Sequence, residues 1–232
     1  MEKNLPTHIA IIPDGNRRWA RSKNLPTIEG HRRGADAMVK LLKHSKKLGI
    51  KCFTIWMFST ENWKRDKDEV NYLMDLAIKR IGSLGKDLIK EKIRFAHLGR
   101  KDRIPTKLVH TLSNLEHKTK SFKDFTLNIA IDYGGRDEIT TMVKKIVKQK
   151  LKETEITEKL ISQNLFTKLL PDPDLVIRTS GEQRLSGFMP WQTVYSELYF
   201  ANFHFPEFTP AKLDHILAIY ANRERRFGGN GK

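Results

Sequence analysis

The chain has 232 residues with 43 Lys and Arg against 27 Asp and Glu, a net charge of +16, so it is long enough to bury its own core and argues against wholesale disorder. The positive excess fits an anionic partner, an anionic surface or solubility alone and selects none of them. A single cysteine, Cys52, excludes an internal disulfide and any zinc site built on cysteine pairs. Near the start, only Ile9 to Ile12 is continuously apolar, short of the about 7–15 residues of a signal peptide, and no later run nears the roughly 18 of a membrane span. The expectation is a soluble, cytoplasmic protein.

Runs rich in β-branched and aromatic residues at 8–12, 51–58, 92–98, 125–131 and 174–178 alternate with longer segments of helical period. That alternation predicts an α/β fold with a mainly parallel central sheet flanked by helices. After the first strand, Pro13 to Trp19 reads as a polar loop. Ala35, Met38, Val39, Leu42 and Leu48 then mark a helix closed by Gly49. The next helix carries an apolar stripe of Val70, Leu73, Met74, Ala77, Ile78, Ile81, Leu84 and Leu88, interrupted by Gly82 and Gly85, which weaken it and permit a bend. Further helices are predicted at 105–119, 136–150, 157–168 and 210–224, with Pro105 and Pro210 in first turns. No repeat or linker interrupts the chain, so residues 1–232 are expected to form a single domain.

In an open α/β sheet the ligand crevice lies beyond the carboxyl ends of the strands. Four strand ends here are polar: Pro13 to Trp19, Ser59 to Arg65, Asp132 to Arg136, and Arg178 to Ser186. Each alone is explained as well by turn chemistry; together they bring carboxylates, glycines, hydroxyls and arginines to one edge. Guanidinium forks and backbone amides both match phosphate oxygens. A carboxylate among them invites Mg²⁺, which takes one or two protein carboxylates and completes its shell with water and phosphate. Asp14 is best placed for that task. The P-loop, dinucleotide, serine-hydrolase and zinc-protease motifs are absent from the sequence.

The segments HIAIIPDGNRRWA (8–20), GHRRGA (30–35), FSTENWKR (58–65), LNIAIDYGGR (127–136), DLVIRTSGEQRLSGF (174–188), WQTVYSELYF (191–200) and NRERRFGG (222–229) resemble, in order, the signature segments of the cis-prenyltransferases, nearest to undecaprenyl diphosphate synthases, or isoprenyl transferases. The resemblance implies Mg²⁺-dependent elongation of an allylic diphosphate, commonly farnesyl diphosphate, by isopentenyl diphosphate with new cis double bonds. It gives Asp14 the metal, and gives Gly15, Asn16, Arg17, Arg18 and Trp19 the allylic substrate. Arg178, Arg184 and Ser186 match residues for isopentenyl diphosphate, with Leu185 among them. Glu197 matches a carboxylate that reaches Mg²⁺ across a homodimer. His31, Ser59, Thr60, Glu61, Trp63 and Arg65 match substrate-site positions, and Asn62 the position assigned to proton acceptance, where a neutral amide is better suited to orienting or relaying. The growing chain implies an apolar tunnel, which one side of the striped helix would line.

Thr27 stands where many members carry a basic residue, and Arg17 where many have glycine, so Arg17 is expected to supply the missing charge. Pro13 and Asp132 also depart from the common pattern. A non-catalytic partner subunit of the same family would lack the Asp14 carboxylate or the 178–186 loop, and this chain keeps both. A nucleic-acid binder is disfavoured because the lysines spread along helix faces. Peripheral contact with anionic lipid suits an enzyme whose product enters a bilayer.

Overall fold

A computed structural model of the protein describes residues 4–224. Its strands are β1 (His8–Ile12), β2 (Cys52–Ser59), β3 (Ile93–Leu98), β4 (Phe125–Tyr133), β5 (Leu175–Arg178) and β6 (Glu197–Phe200). Its α-helices are α1 (Asn16–Ser22), α2 (Thr27–Lys47), α3 (Lys67–Lys90), α4 (Thr106–Thr119), α5 (Gly135–Lys148), α6 (Glu158–Asn164) and α7 (Pro210–Ala221), with 3₁₀ turns at Thr60–Lys64, Glu153–Glu155 and Phe205–Glu207. The six strands are hydrogen-bonded in the order β3-β4-β2-β1-β5-β6, the pairs β1·β2, β1·β5, β3·β4 and β5·β6 running parallel. The expected parallel sheet flanked by helices is what the sequence folds into. The described residues pack as two compact units: 4–55, 172–184 and 192–224 form one, and 56–171 with 185–191 the other.

In the first unit, β1 has all five residues buried, as a strand covered on both faces requires. Ile9 and Ile11 are fully enclosed, each adding about 1.5–3 kcal/mol of burial. His8 is admitted to this core by a 2.7 Å bond between its Nε2 and Thr54 Oγ1. The Asp174 carboxylate accepts from the Thr7 and His8 N–H groups, tying the start of β1 to the approach to β5. Helix α2 buries Met38, Leu41 and Leu42 on one face and ends at Leu48, after which Gly49 takes the left-handed φ of +87° expected of a helix-terminating glycine. Cys52 is buried.

In the second unit, α3 buries Val70, Met74, Ala77, Ile81, Leu84 and Leu88, whereas Leu73 and Ile78 of the expected stripe are only half-buried. Gly82 and Gly85 lie inside one continuous helix. The edge of β3 is protected from α4: Phe95 N–H donates to Thr119 Oγ1 and His97 N–H to Glu116 Oε1, so this edge offers fewer unpaired backbone groups.

Further details differ from expectation, among them α6, which ends at Asn164 where a helix to 168 was expected. Asn16–Ser22 is helix α1 rather than loop; seven residues are too few to show a helical period, and no side chain caps it. Strand β6 is four half-buried residues, ELYF, too short to stand out from its motif. Pro105 is the N-cap of α4 rather than a first-turn residue, while Pro210 does open α7. Of the motif NRERRFGG, residues 225–229 lie outside the described residues.

Candidate active site

In the first unit, the chain leaves β1 at Ile12 and turns sharply, Asp14 N–H donating to Ile12 O at 2.9 Å. Gly15 follows with φ +93°, and a Cβ there would lie 2.6 Å from His204 Nδ1, so only glycine fits both the angle and the space. Helix α1 starts at once, Trp19 N–H donating to Gly15 O. The Asp14 carbonyl is gripped from two sides, by Thr179 Oγ1 at 2.7 Å and Phe205 N–H at 3.0 Å. Its carboxylate is therefore presented from a fixed backbone.

That carboxylate sits among cations. Oδ2 accepts from Arg178 Nη2 at 2.8 Å, and Oδ1 from Gly15 N–H at 2.7 Å and Arg18 Nη2 at 3.3 Å. Burial works against ionisation, but the hydrogen bond and charge of Arg178, the charge of Arg18 and the Gly15 N–H outweigh it and hold the Asp14 pKa below its ordinary value. Arg178 leaves the end of β5 almost wholly buried and also donates from Nη1 to Arg184 O, so its guanidinium bridges the β1 turn and its own loop. Glu182 extends the network, taking Arg18 Nη1 at 2.9 Å and Arg184 Nη1 at 2.6 Å. Three arginines thus surround two carboxylates, a positive excess suited to a polyanion.

The remaining expected residues of this unit are placed less specifically. Arg17 is exposed, Asn16 and Trp19 are half-buried on α1, and His31 is half-buried on α2. Gly30 of the same motif allows close packing, because a Cβ there would collide with the Asn16 carbonyl. Arg32 and Arg33 are taken up by Glu29, whose pKa the Arg32 hydrogen bond above all lowers to about 2. Glu197 Oε2 accepts from Arg223 Nη1 at 2.6 Å.

In the second unit, β2 runs into the 3₁₀ turn Thr60–Lys64, closed by a reciprocal cap in which Ser59 N–H donates to Asn62 Oδ1 at 3.1 Å and the Ser59 side chain accepts from the Asn62 N–H. The Asn62 side-chain oxygen thus serves the cap of its own turn. Trp63 packs edge-on to Phe58, 5.1 Å between ring centres, and donates from Nε1 to Asp132 Oδ1 at 2.8 Å. Asp132 is fully buried at φ +51° and is held by Arg103 through Nε at 2.9 Å and Nη2 at 2.5 Å. Thr60 donates to Glu61 Oε1, and Arg65 pairs with Glu69 at 3.0 Å. On the 185–191 segment Ser186 is exposed at φ +51°, and Leu185 O accepts from Phe188 N–H, whose ring stacks on Trp56.

Sequence reasoning passed over Thr179, Ser180, Glu182 and His204 as individual contributors. Glu182 and Ser180 stood inside a quoted loop, but nothing local marks which arginine or histidine they meet.

An α/β fold that sets an arginine-ringed carboxylate after its first strand suits an anionic ligand beyond the strand ends. Residues 12–228 match the family described as "Putative undecaprenyl diphosphate synthase". The chain is 48% identical to the isoprenyl transferase of Thermotoga maritima over 227 residues, 97% of each chain. It is 47% identical to that of Fusobacterium nucleatum over 99% of this chain and 98% of the relative. Among solved structures, lavandulyl diphosphate synthase from Lavandula x intermedia in complex with dimethylallyl diphosphate superposes with a TM-score of 0.94 at 38% identity, covering 97% of this chain and 98% of that one. A probable undecaprenyl diphosphate synthase from Campylobacter jejuni gives 0.82 at 33%, covering 97% and 99%. The chain belongs to the undecaprenyl diphosphate synthase family, a family of prenyltransferases.

Proposed function

We propose that this chain, acting as one catalytic domain, condenses isopentenyl diphosphate repeatedly onto an allylic diphosphate, farnesyl diphosphate as starter, with cis double bonds and in the presence of Mg²⁺. The observation that carries the reading is the ionised Asp14 carboxylate between Arg178 and Arg18 at the end of β1. Family membership supports the two diphosphate substrates.

The donor set fits magnesium, which asks for few protein ligands. Asp14 is a single carboxylate kept charged, its side chain 29% exposed and so open to a water-clad ion. No cluster of three or more His, Cys, Asp or Glu is present among the described residues, so phosphate oxygens and water would have to complete the ion's shell. Bound there, Mg²⁺ would neutralise charge gathering on the departing diphosphate. Glu197 is assigned by resemblance to the same ion across a homodimer, and in that arrangement Arg223 would have to release it.

The chain's own residues perform the rest. By resemblance, Gly15, Asn16, Arg17, Arg18 and Trp19 hold the allylic diphosphate, Arg178, Arg184, Leu185 and Ser186 the isopentenyl diphosphate, and His31, Ser59, Thr60, Glu61, Trp63 and Arg65 contact substrate, the arginine forks matching diphosphate oxygens. The allylic carbon–oxygen bond breaks with its electron pair on the diphosphate, the isopentenyl double bond attacks the freed carbon, and a proton leaves carbon two of the isopentenyl unit. Asn62 orients the substrate, because a neutral amide is a poor base while its N–H₂ group can donate to diphosphate oxygens and its Oδ1 is anchored by Ser59 N–H. A diphosphate oxygen takes the proton. The half-buried flank of α3, with Leu73 and Ile78, lines an apolar tunnel for the lengthening chain.

Val194 and Tyr195, three and two residues before Glu197, are 70% and 61% exposed, and a homodimer that brings Glu197 to a partner's site would cover them. Sedimentation should give a dimer; a monomer at working concentration would remove that part of the reading. No helix among the described residues is long and apolar enough to cross a membrane, and the site of action proposed is the cytoplasm, at the membrane surface. Product analysis after incubation with Mg²⁺, farnesyl diphosphate and labelled isopentenyl diphosphate tests the function directly.

A further inference from the structure

Behind the Asp14–Gly15 turn, Ser180 Oγ and His204 Nδ1 share a hydrogen bond of 2.5 Å. Ser180 is buried and left-handed at φ +81°, uncommon for a residue with a Cβ. Its backbone is tied to the segment that carries the histidine, Ser180 N–H donating to Phe203 O and Gly181 N–H to Ala201 O, both at 2.8 Å. His204 is fixed in turn by its N–H, which donates to Glu207 Oε2 at 3.1 Å. The immediate neighbours of the pair, Thr179 and Phe205, are the two residues that grip the Asp14 carbonyl. Gly15 lies against the bonded pair so closely that any side chain there would strike both atoms.

We propose that Ser180 and His204 are positioning residues for the Asp14 carboxylate. Their bond locks together the two loops that clamp the Asp14–Gly15 peptide, and so fixes where Oδ1 and Oδ2 point. Neither residue acts on substrate; each acts through Asp14. The proposal rests on Asp14 being the metal-bearing group of the prenyl transfer. Small displacements matter at such a centre, a misplacement of about 1 Å costing on the order of 10² in rate.

The test is a set of four variants of the full chain: His204→Ala, Ser180→Ala, both together, and His204→Asn, whose carboxamide can restore a bond to the Ser180 hydroxyl. Each alanine variant should lower kcat about tenfold with the KM of both substrates within about twofold, and should raise the Mg²⁺ concentration for half-maximal rate. The double variant should lose no more than either single one, because both remove the same link. His204→Asn should recover most of kcat. Calorimetric titration with Mg²⁺ and inorganic diphosphate should show His204→Ala weakening binding without any turnover. An unchanged kcat in His204→Ala, a multiplicative loss in the double variant, or a loss that only tracks a lowered melting temperature would overturn the proposal. If the wild-type chain makes no prenyl product, the functional reading fails by itself and the diphosphate titration decides: weakened binding supports the positioning role, unchanged binding overturns it.

Discussion

Trp63 donates its indole N–H to Asp132 Oδ1 at 2.8 Å, across 69 residues of sequence, and Asp132 is held in turn by the fork of Arg103. The carboxylate is buried and left-handed at φ +51°, where aspartate and asparagine are among the few side chains tolerated. Asp132→Ala removes the acceptor for both donors and strains the backbone, and should cost about 2–4 kcal/mol by denaturant unfolding. Asp132→Asn keeps an acceptor for Trp63 and should cost less than half as much. Equal losses in the two variants would show that Trp63 does not depend on this bond.

Asn62 spends its carbonyl oxygen on Ser59 N–H. Asn62→Asp keeps that cap and loses only the N–H₂ donors, whereas Asn62→Ala loses both. If the amide orients substrate, both variants should lose about 10²-fold in kcat, with Asn62→Asp retaining the wild-type melting temperature. Full activity in Asn62→Asp would contradict an orienting role for the donors.

Gly82 lies inside α3 with nothing within 4 Å of where a Cβ would stand. Gly82→Ala should therefore stabilise the chain by about 0.5–1 kcal/mol through helix propensity alone. Gly85 differs, since a Cβ there would touch Leu115 Cδ1 at 3.4 Å. A destabilised Gly82→Ala would mean that the helix needs this glycine for a distortion.

His97 is buried, donates from Nε2 to Ile131 O at 2.9 Å and has no described partner at Nδ1. Burial above all, with Lys101 adding to it, lowers its pKa below 6.5 despite the Ile131 bond and the charges of Glu116 and Asp132. The unfolded chain then takes up this proton at a higher pH than the folded one. The contribution is intact above about pH 6.5 and is lost as pH falls through the folded pKa. Unfolding midpoints should drop across that interval, and the drop should shrink in His97→Gln. An identical pH slope in the variant would assign the effect elsewhere.

The central strands were readable because a strand covered on both faces must be apolar throughout, as HIAII of β1 is. Helix α1 and strand β6 were not, seven and four residues being too few for a period to emerge. Asp14 and Arg178 could be found from the rule that ligands bind beyond strand ends, and they are 2.8 Å apart. Their pairings were hidden: that Glu182 joins Arg18 to Arg184, that Asn62 caps its own turn, or that Asp132 answers Arg103 depends on how distant loops close.

The most direct test incubates the purified chain with Mg²⁺, farnesyl diphosphate and labelled isopentenyl diphosphate, beside Asp14→Ala, and resolves extracted products by length. The wild-type chain should give a ladder of products rising in five-carbon steps, and Asp14→Ala, still melting cooperatively, a yield lower on the order of 10²–10³-fold. A ladder of equal strength from Asp14→Ala would contradict it.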